Sequence, residues 1–161
     1  MHRSGLVASF AFVLLANPAA AASMTTNGPG ALALAAIVAS HSRMLGVVDR
    51  AALARLFNGR TNFGYPANRK ITVSADSIDC KVSNVDITDR SCALTFGGGN
   101  RALKGREAHE LYATLVEAGA PSDGAAGTIH ESISHLLCTI DPNAIKQKDG
   151  SGAECKFDTG P

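Results

Sequence analysis

Residues 70–96 read KITVSADSIDCKVSNVDITDRSCALTF, and the fold follows from how this stretch alternates. Lys70–Ser74 switches between polar and apolar at every step. Ile78, Cys80 and Val82 carry the period of two onward, and Val85 and Ile87 follow. That period marks strands with one face against a core. Asp89-Arg90 reads as a turn and Ser91–Phe96 (SCALTF) as the returning strand. Cys80 and Cys92 therefore sit on the two arms of one hairpin.

A second hairpin is expected near the C-terminus. Thr128, Ile129, Ile133, Leu136, Leu137, Cys138 and Ile140 form a long apolar-rich strand. Lys146–Gly152 (KQKDGSG) is a polar tip, and Ala153–Phe157 (AECKF) is the last strand. Cys138 and Cys155 occupy its two arms. Four cysteines allow three pairings; the local pattern favours Cys80–Cys92 and Cys138–Cys155. No C-x2-C spacing is present, so structural disulfides are expected rather than a metal centre. No cofactor motif is present either.

The remaining segments supply helices and loops. Ser23–Gly30 reads as a loose polar arm. Ala31 to about Leu45 reads as a helix, and Asp49 as the N-cap of a second over Arg50–Phe57, stopped by Asn58-Gly59. Arg60–Arg69 is a loop. Gly97-Gly98-Gly99 is expected to end the sheet, with Asn100 capping a helix from Arg101 to about Ala118. Ala108, Leu111, Tyr112 and Leu115 form the apolar face of that helix. Gly124–Gly127 reads as a small-residue loop. The fold class is α+β, in the order α-α-β-β-α-β-β. About four antiparallel strands carry helices on one face, as a single domain over 23–161. Residues 31–96 and 101–157 read as two copies of a helix plus a Cys-linked hairpin. This layout is similar in outline to the exported β-lactamase-inhibitory proteins, which also repeat a helical segment plus a sheet with one disulfide per half. No motif is shared with them, so no residue or activity is carried over.

The first 22 residues have a different grammar. A basic start (His2, Arg3) precedes an apolar run from Gly5 to Ala16, and Ala19–Ala22 offers A-x-A cleavage after Ala21 or Ala22. This is the form of a signal peptide. The expected location is periplasmic or secreted, with no stable membrane anchor after cleavage. The cysteines agree, because disulfides persist in oxidising compartments. Removing Arg3 from 15 basic residues leaves 14 against 14 acidic ones. That balance gives no footprint for nucleic acid. Charge is nevertheless uneven: Arg43, Arg50, Arg55, Arg60, Arg69 and Lys70 face one acid, Asp49, in the same stretch.

Catalytic signatures are absent. There is no G-x-S-x-G, Walker A or G-x-G-x-x-G after a strand. His130 and His135 flank Glu131 at a spacing that puts them on opposite faces of a strand, so no zinc motif forms. The expected function is a disulfide-stabilised, inhibitor-like binding domain for a protein or a small anionic ligand. Its candidate contacts are Asn100, Arg101 and Lys104, read as a helix-terminal anion site, and the loop aromatics Phe63 and Tyr65. The alternatives are a small hydrolase using His109, His130 or His135, and a structural envelope protein; Ser132 and Ser134 read as a solvated strand face rather than as nucleophiles for His109.

Overall fold

The structure, a computed structural model, describes residues 21–83, 86, 88–125, 128–146 and 151–159. The signal peptide expected over residues 1–22 falls almost wholly on 1–20, which lie outside them. Seven strands and three helices follow in the order β1 (Ala22–Asn27), α1 (Pro29–His41), α2 (Val47–Phe57), β2 (Ile71–Ser83), β3 (Arg90–Phe96), β4 (Gly99–Lys104), α3 (Arg106–Glu117), β5 (Ser122–Ala125), β6 (Thr128–Ile140) and β7 (Ala153–Thr159). The sheet is antiparallel in the order β1-β7-β6-β2-β3-β4. β5 pairs with β6 at Thr128–Glu131, beyond the stretch that β7 covers. Helices α1 and α3 pack on the sheet and α2 packs on α1. No described helix is long and apolar enough to cross a membrane.

The α+β class and both disulfides are as expected. Cys80 lies directly across from Cys92, and Cys138 from Cys155. All four are sealed in the core.

Three strands were not expected, so the sheet exceeds four. The supposed loose arm is edge strand β1, with Ala22 opposite Thr159. Cleavage after Ala21 would leave β1 whole. The supposed loop at 124–127 contains the end of β5, paired with the start of β6. The largest correction concerns Gly97–Lys104. Gly97-Gly98 is the two-residue tip of a hairpin, with Phe96 paired to Gly99, and β4 follows. The third helix starts at Arg106, so Asn100 is not its cap. Two helix bounds also move: Gly46, not Asp49, caps α2, and α1 ends at His41.

The sheet is symmetric about its central β6–β2 pair. The inward residues of β2 are Ile71, Val73, Ala75, Ile78, Cys80 and Val82; those of β6 are Ile129, Glu131, Ile133, Leu136, Cys138 and Ile140. Both series step by two, then by three, then by two. The step of three in β6 falls at His135, whose φ of 51° is the one positive value among described non-glycine residues. There the strand is bulged, and the apolar period resumes on the same face.

The symmetry extends beyond the central pair. The Gly105 N–H donates to the Arg90 carbonyl at 3.1 Å, and the Gly28 N–H donates to the Ala153 carbonyl at 3.1 Å. Both glycines precede a helix at positive φ (56° and 74°), a conformation that a side chain would strain. The first helical bonds match as well: His109 N–H to Gly105 O at 3.0 Å, and Leu32 N–H to Gly28 O at 3.1 Å. Cys92 Sγ lies 3.4 Å from the Ala108 carbonyl oxygen, and Cys155 Sγ lies 3.3 Å from that of Ala31. One half is thus the continuous run β2-β3-β4-α3. The other is β6-β7 completed by β1-α1 from the opposite end of the chain. This grouping differs from two successive helix-then-hairpin units.

Candidate functional site

Two regions carry unusual chemistry. The first lies around α2. Its inward residues Ala52, Leu53 and Leu56 are spent on packing. Its outer side stays apolar: Val47, Val48 and Phe57 are 75%, 63% and 51% exposed, and Met44 just before it is 67% exposed. These are four of the six exposed large hydrophobics among the described residues, all within residues 44–57. Single exposed apolar residues are ordinary; a cluster marks an interaction surface.

Two hollows flank this helix. A groove of about 550 Å³ runs between α1 (Ala36, Ile37, Ser40) and α2 (Val47, Arg50, Ala51, Ala54, Phe57). A smaller hollow of about 290 Å³ lies on the other side, between Val47, Val48, Ala51 and the loop residues Phe63 and Tyr65.

Asp49 organises that loop. It accepts from Tyr65 Oη at 2.5 Å and from Arg69 Nη2 at 2.7 Å. Burial first, then the hydrogen bond to Asp49, pushes the Tyr65 phenol up to about 12. The Phe63 and Tyr65 rings lie 6.1 Å apart. Arg55 sits 5.7 Å over the Phe63 ring and Arg69 5.9 Å over Tyr65. Both aromatics therefore fold back against α2 and wall the hollow.

Asn100 and Arg101 line a third recess, of about 370 Å³, with His41, Arg43, Met44 and Phe96. No acidic residue lines it among the described residues. Burial holds the His41 imidazole below its usual value, and Arg101 adds to the effect against the opposing pull of Glu107 and Glu110. Lys104 is not part of this recess; it sits at the far end of β4, across from Ser91.

The second region was missed in the sequence. Glu131 faces inward on β6 and is 1% exposed, yet neither carboxyl oxygen has a hydrogen-bond partner among the described residues. Burial pushes its carboxyl up to about 7. Arg90 Nε is also buried without a partner. Arg90 Nη1 donates to His109 Nδ1, which places the ring proton on Nε2. Tyr112, one helical turn beyond His109, has its phenol raised by burial and by Glu131.

The other histidines do not converge on a nucleophile. Ser132 and Ser134 flank Ile133 on the face turned from the core, whereas His109 stands over the core face. His135 pairs with Asp158 at 3.0 Å on the surface. No group of three or more His, Cys, Asp or Glu among the described residues is arranged to hold a metal ion.

No protein-family model, no curated protein and no solved structure matches this chain.

Proposed function

We propose that this chain is an exported, disulfide-stabilised binding domain that grips an acidic, amphipathic segment of a protein partner across α2. The observation that carries this reading is the exposed apolar row Met44, Val47, Val48 and Phe57, set among Arg43, Arg50, Arg55 and Arg60. The one acid in the stretch, Asp49, is already committed to Tyr65 and Arg69. The surface is therefore apolar in the middle and positive at the rim. An amphipathic helix laid into the α1–α2 groove would bury its apolar side against Val47, Ala51 and Ala54. Acidic side chains at its edges would meet the arginines, which favours fast, salt-sensitive association. Asn100 and Arg101 would extend the positive rim across the neighbouring recess. The two disulfides hold the sheet that backs this surface, so little ordering remains to be done on binding.

Fluorescence anisotropy with a labelled Leu/Glu amphipathic helical peptide tests the reading. Binding should weaken as salt is raised and should be lost in V47D/F57S. R50E/R55E should weaken it at low salt. A peptide that fails to bind, or binds the V47D/F57S variant equally well, overturns the reading. Sedimentation of the free protein separates the structural-protein alternative: concentration-dependent assembly abolished by V47D/F57S would mean that the α2 face meets a second copy instead.

A further inference from the structure

The two halves of the fold can be compared position by position, and they differ most in one place. Glu131 stands across from Cys80, as Val73 stands across from Cys138. Arg90 accepts the Gly105 N–H, as Ala153 accepts that of Gly28. His109 closes the first bond of α3, as Leu32 closes that of α1; Tyr112 and Ala35 follow at equal distance along the two helices. Val73, Ala153, Leu32 and Ala35 are all buried apolar residues. One half thus fills this layer with core. The other half fills the same layer with a carboxyl, a guanidinium, an imidazole and a phenol.

The fold does not require that polar set, since its twin stands without it. Burying a carboxyl without a partner is unfavourable, and native proteins keep few such groups. Two unpartnered groups of opposite character, the Glu131 carboxyl and Arg90 Nε, occur in the same layer. Arg90 and Tyr112 are partly exposed and His109 is exposed, so three of the four groups reach solvent while Glu131 itself is sealed.

We infer that the Glu131, Arg90, Tyr112 and His109 cluster is a binding site for a small organic carboxylate, which enters together with one proton. Arg90 Nε and Tyr112 Oη donate to the ligand's oxygens. Glu131 takes a proton from solvent and donates it in a hydrogen bond to the same carboxylate. The occupied site then holds one cation and one anion, which is the neutral combination a buried layer tolerates. An ammonium ligand is disfavoured by the guanidinium. Tyr112 of α3 senses both Glu131 and Arg90, and Arg90 meets His109; the β2 residues beside Glu131, Cys80 and Val82, and Ser122 of β5 across from it bring no titratable group.

NMR titration of the purified protein with sodium butyrate and sodium benzoate, at pH 5.5 and 8.0, tests this. Saturable shifts at the Tyr112 and His109 rings are expected at pH 5.5. Uptake of one proton weakens binding about tenfold per pH unit once Glu131 is ionised in the free protein. E131Q, whose amide still donates, should bind equally at both pH values, and E131V should fold and bind at neither. Absence of saturable binding at pH 5.5, an unchanged pH dependence in E131Q (which would trace it to His109), ligand binding by E131V, or failure of E131V to fold would each overturn the inference.

Discussion

Glu131 on β6 occupies the position that Val73 occupies on β2, each directly across the central strand pair from a disulfide cysteine of the other strand. The surrounding core accepts a valine there in one half and holds an unpartnered carboxyl in the other. E131V should therefore stabilise the protein by about 1–3 kcal/mol, the usual penalty of an unmatched buried polar group. Denaturant titration at pH 8 reads this directly, and a loss of stability would mean the carboxyl is structural.

The same carboxyl sets a pH dependence with a definite sign. Unfolded, it ionises at its ordinary value of 4.5; folded, burial holds its proton up to about 7. Between these values the folded state binds more protons, so its contribution is fully present below pH 4.5 and is lost as pH rises through 7. The loss is of the order of 3 kcal/mol, and E131Q should remove it. Urea midpoints measured from pH 4 to pH 8 for both proteins check it.

Asp49 gives a spectroscopic handle. The chain has 2 tyrosines. In ultraviolet titration the Tyr65 phenol should ionise near 12 in the parent protein and lower in D49A. The return is partial, because burial is the larger cause. Stability contributed by this phenol is lost between its unfolded value near 10 and its folded value, so alkaline unfolding should begin earlier in D49A. The variant should also lose about 1–2 kcal/mol at neutral pH, through the two severed hydrogen bonds.

Both disulfides are inaccessible from outside, since all four cysteines are at most 2% exposed. A reductant should leave them intact in native buffer and open them in denaturant, which mass analysis after alkylation would show. The bonds close separations of 12 and 17 residues. Replacing either pair by alanine should cost about 3 kcal/mol in the chain-entropy account. Rapid reduction in native buffer would contradict the burial.

The two ends of the folded chain invite a rearranged connection. Ala22 pairs with Thr159, much as Gly99 pairs with Phe96 across the Gly97-Gly98 tip. A short glycine-rich link from Thr159 to Ala22, with new ends opened between Ala120 and Pro121, should yield a folded protein with its three helices and full sheet. Circular dichroism and a cooperative melt would show it; an unfolded product would deny that the two halves share one plan.

Much of this architecture was written in local periodicity. The alternation of Ile71–Val82 and the paired cysteines placed β2, β3, β6 and β7. Edge strands were the failure. β4 buries one residue, Leu103, and β1 fully buries none, so neither has an apolar period to read. Both are held by backbone pairing with a neighbour, which side-chain pattern does not encode. Gly97–Asn100 looked like a helix start because glycine and asparagine serve turns and caps alike. Glu131 was hidden by a different arithmetic. Counting back by two from Cys138 puts it outside, and only the extra residue at His135 turns it inward. The apolar pair Ile133 and Leu136, an odd step apart, was the available clue. On the surface, the arginine-rich stretch was legible as charge, but the exposure of Val47, Val48 and Phe57 was not, because the same residues would serve equally well in a core.

The division of one half-sheet between opposite ends of the chain has a consequence during synthesis. Residues 71–117 can complete their hairpin and helix as soon as they emerge. Helix α1, whose one ionisable side chain is the terminal His41, must wait for β7. At ordinary translation speeds that delay is roughly 5–30 s, with the most apolar helix short of its β7 contacts throughout. The first of the described helices to be made is among the last to find its place, which leaves a long interval in which a holding factor has something to hold.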